Sequence, residues 1–151
     1  MATKEIRTEI EIEAPAERVW SIITDLPAFE RWNPFIVRGE GEVAAGSKVR
    51  VTMHPPGHRR STFKPTIVDV EPGRSYRWLG HLGPSGIFDG EHAHEVEPLG
   101  SDRCRYVQSE RFQGILVPML GAMLRDSERG FRAMNAALKK LAESSAPTAA
   151  I

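Results

Sequence analysis

Hydrophobic and polar residues follow two different periods along this chain. Apolar residues alternate with polar ones over residues 5–13 and again in several stretches between residues 47 and 113, which is typical of strands. Helical spacing begins at Ala14-Pro15 and recurs after Pro118, where apolar residues return every three or four positions. The pattern predicts one strand, two short helices ending near Trp32, about six further strands and one long C-terminal helix.

This order of elements predicts an architecture. A meander of antiparallel strands, one of them expected from about Thr62 to Val70, leaves one sheet face to be covered, and only the C-terminal helix is long enough to cover it. A strongly twisted sheet curls around such a helix without packing flush along its length, so a cavity is expected between them. The predicted fold class is α+β: a curved antiparallel sheet of six to seven strands around a long C-terminal helix, with two short helices after the first strand and an internal cavity.

The stretch from Gly86 to Pro98 has the most unusual alternation. One face carries Phe88, Gly90, His92, His94 and Val96, and the other carries Asp89, Glu91, Ala93, Glu95 and Glu97. A strand that only fills a core would carry Val, Ile or Phe at its inward positions. Two imidazoles and a glycine on the inward face indicate that this strand lines a space.

The next strand, residues 103–113, is expected to form a hairpin with the histidine strand. Two registers are possible, and they place His92 directly opposite either Gln108 or Glu110, with the other residue diagonal. Tyr106 or Gln108 would then face His94. Either register brings imidazole, carboxyl and amide groups together on the inward face.

The candidate ligand-binding residues face the expected cavity from the sheet and the helices. They are Trp32, Tyr76, Trp78, Phe88, His92, His94, Tyr106, Gln108, Glu110, Phe112, Met123 and Phe131. A cavity that is mostly apolar with a few convergent polar groups is the usual layout of a small-molecule site. The alternative is that the aromatic residues and methionine only fill the core, which uses the same residue types.

His92 and Glu110 are the candidate catalytic residues, because an adjacent imidazole and carboxyl could act as general base and acid on an enolisable ketone. Two other interpretations stay open: the pair could tie the two strands together, or it could anchor a ligand without catalysis. His92-x-His94 with Glu110 also has a spacing that could supply metal ligands. No further Cys, Asp or His is obviously placed to complete such a site, so we expect no metal and no cofactor.

The composition indicates one soluble domain. The chain has 151 residues, and its 20 basic and 20 acidic residues cancel, which argues against a nucleic-acid partner. A single cysteine, Cys104, suits a reducing compartment, and neither a secretion signal nor a membrane-spanning run is apparent. We expect a cytoplasmic monomer or weak homodimer without membrane insertion, with one domain over residues 4–142 and a disordered tail over residues 143–151.

Several short motifs along the chain resemble those of one superfamily. They are Ala14-Pro15-Ala16-Glu17-Arg18-Val19-Trp20, Trp32-Asn33-Pro34, Val70-Glu71-Pro72-Gly73-Arg74 with Trp78, Phe88-x-Gly90-x-His92 and Glu110-Arg111-Phe112-x-Gly114. Together they resemble the SRPBCC proteins, also called the START-like or polyketide cyclase/dehydrase-like superfamily, which includes birch-pollen allergens. The resemblance covers about residues 4–142 and implies a helix-grip fold, in which a curved sheet wraps the C-terminal helix around a hydrophobic cavity. His94 departs from the aromatic or aliphatic residue that is usual at its position.

The resemblance does not imply a single activity, because function is carried by the site and not by the fold. Members bind lipids, hormones or polyketides, some catalyse cyclisation, and some contact chaperones. Three hypotheses follow for this chain. The first is binding of a hydrophobic or aromatic small molecule in the cavity, the second is a cofactor-independent polyketide cyclase, aromatase or dehydratase that uses His92 and Glu110, and the third is a chaperone-activator-like interaction domain.

Overall fold

The structure, a computed structural model, describes residues 2–144. Its strands are β1 (Thr3–Ile12), β2 (Ile36–Glu40), β3 (Arg50–Met53), β4 (Ser61–Phe63), β5 (Thr66–Glu71), β6 (Ser75–His81), β7 (Asp89–Gly100) and β8 (Arg103–Gln113). Its helices are α1 (Ala16–Ile23), a 3₁₀ helix (Leu26–Arg31), a second 3₁₀ helix (Val117–Met119) and α2 (Gly121–Ser144). The order of elements agrees with the order that the hydrophobic periods predict.

The strands pair antiparallel throughout and divide between two sheets. The larger sheet has the order β1-β8-β7-β6-β5, the smaller has the order β2-β3-β4, and a bridge between Lys48 and Thr66 connects them. Helix α2 packs against β1 and β8. The α+β helix-grip fold, with a curved antiparallel sheet and a long C-terminal helix, is therefore confirmed, with eight strands in two sheets within residues 2–144 where six to seven in one sheet were expected.

The prediction of one continuous strand from Thr62 to Val70 is wrong at Pro65. The chain leaves the smaller sheet at Phe63 and enters the larger sheet at Thr66. Proline has no backbone N–H to give to a ladder, so a strand is interrupted there. The break lets one stretch of chain serve as the edge of both sheets.

The end of α2 lies further along the chain than the sequence pattern predicted. Glu143 and Ser144, the first residues of the predicted tail, belong to the helix, and the other residues of that tail lie outside the described residues. The Glu143 carboxylate accepts a hydrogen bond from the backbone N–H of Glu13 at 2.8 Å and one from Lys139 Nζ at 2.6 Å. These contacts hold the end of α2 against the end of β1.

The distance between α2 and the smaller sheet is set by the contact between Gly130 and Phe35. Asn33 Oδ1 accepts hydrogen bonds from the backbone N–H groups of Phe35 at 3.0 Å and Ile36 at 2.9 Å, which turns the chain so that the Phe35 ring faces α2. A Cβ on Gly130 would overlap that ring, and the Phe131 ring lies 5.4 Å from it. Glycine in a helix costs about 1 kcal/mol relative to alanine, and here the close approach of an aromatic ring explains it.

We expect Gly130→Ala to lower the free energy of unfolding by about 1–3 kcal/mol, because the added methyl group overpacks a filled interface. The matched control is Gly121→Ala in the same helix, where the nearest foreign atom to an added Cβ is Arg125 Nη1 at 3.5 Å. Its stability should be unchanged or slightly higher. Urea unfolding followed by circular dichroism measures both, and equal effects of the two substitutions would contradict the packing argument.

Candidate functional site

A cavity of about 400 Å³ lies between the two sheets and the first turns of α2. Most of its wall is apolar and consists of Phe35, Val51, Met53, Pro55, Phe63, Pro65, Trp78, Leu82, Phe88, Phe112 and Met123 together with Gly80 and Gly90. The polar and charged residues of the wall are His58, Arg59, Ser61, His81, Glu110 and Ser127. The volume is within the range of small-molecule sites, roughly 300–1,000 Å³.

Glu110 brings a carboxyl group to this wall because Gly90 leaves room for it. Glu110 on β8 pairs with His92 on β7, and Gly90 lies two residues along the same face of β7. A Cβ on Gly90 would overlap Glu110 Oε2, so any other residue at position 90 would displace the carboxyl. The Glu110 side chain is 13% exposed and reaches the cavity. The gap that the sequence pattern indicated on β7 is therefore occupied by a carboxylate.

His92 lies directly behind this carboxyl group. Its Nδ1 atom is 3.3 Å from Glu110 Oε1, and the imidazole is completely buried and does not line the cavity. Its ring centroid lies 5.1 Å from that of Trp78, 4.9 Å from Phe131 and 4.6 Å from His94. Any proton exchanged between His92 and a molecule in the cavity must therefore pass through Glu110.

His94 and Tyr106 form a second buried pair, deeper in the fold. The His94 Nδ1 atom lies 2.5 Å from the Tyr106 hydroxyl. Burial lowers the pKa of His94 well below its ordinary value, with a further contribution from His92, and burial raises the pKa of Tyr106. Neutral His94 therefore accepts the hydrogen bond that Tyr106 donates. Tyr76 stacks on His94 at 4.7 Å, and its hydroxyl donates to the carbonyl of Ile23 at 2.7 Å.

The twelve predicted ligand-binding residues divide into two groups. Those on the cavity wall are Trp78, Phe88, Glu110, Phe112 and Met123. Those not on the wall are Trp32, Tyr76, His92, His94, Tyr106, Gln108 and Phe131. Except for Trp32, which packs on Phe29 at 5.4 Å, this second group is packed between the larger sheet and the helices α1 and α2. The cavity lies on the other side, toward the smaller sheet.

Sequence reasoning missed the part of the wall that comes from the smaller sheet. The loop between β3 and β4 contributes none of the predicted site residues, yet its Pro55, His58 and Arg59 line the cavity. His58 Nε2 lies 2.6 Å from Asp126 Oδ2 on α2, and this hydrogen bond lowers the pKa of the Asp126 carboxyl. The alternation of Val49, Val51 and Met53 was a signal for this wall, but it does not reveal which element the strand faces.

Other kinds of site find little support in the described part of the chain. Within residues 2–144, no group of three His, Cys, Asp or Glu side chains is arranged to hold a metal ion. Cys104 is buried, and burial, with a smaller effect from Glu17, raises the pKa of its thiol to about 11, so the thiol is protonated at neutral pH. No helix between residues 2 and 144 has the length and apolar character needed to cross a membrane.

The comparison with protein families assigns the chain. Residues 3–143 match the family described as polyketide cyclase/dehydrase and lipid transport, so the chain belongs to this family. The SRPBCC/START-like resemblance seen in the sequence is thereby confirmed. A comparison with curated proteins finds no match.

Solved structures with the same fold include three different kinds of protein. The Zhui aromatase/cyclase from Streptomyces sp. R1128 aligns with a TM-score of 0.78 at 18% identity, over 95% of this chain and 96% of that one. A START superfamily protein from Mycobacterium smegmatis aligns at 0.69 and 20% identity, over 91% and 98% of the two chains. A norcoclaurine synthase from Thalictrum flavum aligns at 0.65 and 21% identity, over 93% and 94%. At these identities the similarity shows the fold alone.

The buried state of His94 predicts a pH dependence of stability. Because the folded pKa of His94 lies below the unfolded value of about 6.5, the unfolded chain binds the extra proton first. The free energy of unfolding should be fully retained above about pH 6.5 and should fall as the pH decreases below it, by up to about 1.4 kcal/mol per pH unit. His94→Asn, whose amide oxygen can still accept from Tyr106, should reduce this slope, and His54→Asn at an exposed position should not. Denaturant unfolding between pH 5 and 8 measures the slopes, and equal slopes in all three proteins would contradict the assignment to His94.

Proposed function

We propose that this protein binds an apolar, preferably aromatic, small molecule that carries one hydrogen-bond donor. The observation that carries the proposal is the position of Glu110, a carboxyl group that reaches an otherwise largely apolar wall. The apolar wall contributes affinity by burying ligand surface, and a carboxylate contributes orientation by accepting a hydrogen bond. A hydroxyl, phenol or amine on the ligand would supply the donor.

The shape and lining of the cavity support an aromatic ligand in particular. Phe88 and Phe112 stack on each other at 5.4 Å and, with Trp78, present aromatic surface to the cavity. Aromatic pairs contribute about 0.5–1.5 kcal/mol beyond their area burial. The norcoclaurine synthase from Thalictrum flavum, which has the same fold, has been solved in complex with dopamine and hydroxybenzaldehyde. An aromatic ring with a hydroxyl group is a ligand of this kind.

We expect the protein to bind 2-naphthol about tenfold or more tightly than 2-methoxynaphthalene, because a hydrogen bond to a charged group contributes about 1.5–3 kcal/mol. Glu110→Ala should abolish this preference and should lower the affinity for 2-naphthol more than it changes the melting temperature. Isothermal titration calorimetry measures the affinities, and thermal unfolding measures the stability.

The control for this experiment is Glu95→Ala. Glu95 lies on β7, the same strand as Gly90, but on the opposite and exposed face. Its removal changes the charge by the same amount and should leave both affinities unchanged. If Glu110→Ala and Glu95→Ala had equal effects, or if Glu110→Ala lost stability with no change in binding, Glu110 would be a structural residue.

A second candidate function is acid–base catalysis, and the contact between His92 Nδ1 and Glu110 Oε1 at 3.3 Å favours it. In this function Glu110 takes a proton from a carbon next to a ketone and exchanges it with His92, which has no access to the cavity of its own. The reaction class would be a cyclisation or dehydration of an enolisable substrate, in agreement with the cyclase/dehydrase description of the family.

If the protein is such an enzyme, it should turn over a poly-β-ketone in a pH-dependent manner. Glu110→Gln should abolish turnover because an amide cannot take up the proton, and His92→Gln should abolish it or displace its pH profile. Product formation followed by chromatography measures the rate. Retained turnover in Glu110→Gln would exclude this mechanism, but it would not contradict the proposal that the cavity binds a ligand.

A further inference from the structure

Behind His92, a chain of buried polar side chains crosses from β7 to α2 and β1. His92 Nε2 lies 2.8 Å from Gln108 Oε1, Gln108 Nε2 donates to Asn135 Oδ1 at 2.9 Å, and Asn135 Nδ2 donates to Thr8 Oγ1 at 2.9 Å. The Thr8 hydroxyl donates to the backbone carbonyl of Gln108 at 3.1 Å. All four side chains are 3% exposed or less. None of them lies on the cavity wall.

The donor and acceptor of every hydrogen bond in this series of side chains follow from the last bond, which the Thr8 hydroxyl makes to the backbone carbonyl of Gln108. A backbone carbonyl can only accept, so the Thr8 hydroxyl must donate to it and its oxygen then accepts from the Asn135 amide. Asn135 therefore presents its oxygen to the NH₂ group of Gln108. The Gln108 NH₂ group lies also 3.5 Å from the carbonyl oxygen of Phe131, which agrees with this orientation. The oxygen of Gln108 consequently faces His92 and requires a hydrogen on His92 Nε2.

We propose that Thr8, Asn135 and Gln108 act as positioning residues that hold His92 in its Nε2–H tautomer. The nitrogen that gains and loses a proton is then Nδ1, which faces Glu110 Oε1. The hydrogen bonds from Thr8 through Asn135 and Gln108 thus direct the exchangeable proton of His92 to Glu110, the carboxyl group that touches the ligand. This inference rests on the proposed function, because it assigns which nitrogen of His92 faces the carboxyl group that the proposed function places at the ligand.

A second observation supports this direction of exchange. His92 Nδ1 is a buried nitrogen without a hydrogen bond of good geometry in the described structure. By contrast, His92 Nε2 and the polar side-chain atoms of Thr8, Gln108 and Asn135 all have hydrogen-bond partners. Buried polar atoms are normally paired, so an unpaired nitrogen next to a carboxyl is a site where a proton can be placed. The other rings around His92 are Trp78, Phe131 and His94, and burial keeps His94 neutral. Glu110 is therefore the acidic group that His92 contacts.

A purely structural network would satisfy the same buried groups without controlling His92, and the two interpretations differ in what a change at Thr8 does. Thr8→Val has nearly the same shape but removes the hydroxyl that sets the orientation of the Asn135 amide. The amides of Asn135 and Gln108 can then reverse together, and His92 can carry its hydrogen on either nitrogen. Thr8→Ser keeps the hydroxyl and is the matched control.

The experiment is imidazole ¹⁵N NMR of the full chain between pH 5 and 9, with the His92 signals assigned from their absence in His92→Gln. In the wild type and in Thr8→Ser, the neutral ring should show the chemical shift of a protonated nitrogen at Nε2 and that of a nitrogen without hydrogen at Nδ1. In Thr8→Val, both nitrogens should show intermediate chemical shifts, as expected for a mixture of the two tautomers. Because the wild-type spectrum alone reads the tautomer, the test does not depend on the folding of Thr8→Val.

An Nδ1–H tautomer in the wild type, or spectra of Thr8→Val identical to those of the wild type, would overturn the proposal. Binding of 2-naphthol is measured on the same samples and separates the two claims. Absence of 2-naphthol binding together with the expected tautomer would contradict the proposed function and support the role of Thr8, Asn135 and Gln108. Binding together with the wrong tautomer would support the function and overturn the positioning role.

Discussion

The cavity depends on how unevenly the trough between the curved sheet and α2 is filled. At one end the rings of Tyr76, His94, His92 and Phe131 stack or tilt against one another with centroids 4.6–4.9 Å apart, and none of these residues lines the cavity. At the other end, Phe35 packs against Gly130 and sets the distance between α2 and the smaller sheet. The open volume lies beyond the rings, where β3 and β4 form the opposite wall.

This division also separates the polar groups by role. Tyr106, Gln108 and Asn135 are hydrogen-bonded inside the protein, and His94 is hydrogen-bonded through Nδ1, so most of their desolvation is compensated without a ligand. Glu110 differs because its carboxyl reaches the open volume over Gly90. A carboxylate at that position gains most from a hydrogen-bond donor that enters the cavity. The same geometry therefore makes a packed core at one end and an open cavity at the other.

Much of the fold and part of the site could be predicted from the sequence. Period-two alternation identified the inward face of β7, and the structure places Phe88, His92, His94 and Val96 on a buried face. One of the two expected registers, with His92 opposite Glu110, is the observed one. Strand β2 was not predicted, because Ile36–Glu40 is short and contains a glycine. The break at Pro65 was overlooked because the apolar pattern on its two sides has the same phase.

What the sequence determined by itself was which side chains face inward, because the direction of a side chain follows from the local period of a strand or helix. It could not determine which inward-facing residues touch the open volume and which are packed against other side chains. That depends on Phe35, on the loop between β3 and β4, and on α2, which are distant from β7 and β8 in the chain and meet them only in the folded protein. Only the tertiary structure therefore placed His92 behind Glu110 and left the carboxyl facing the cavity.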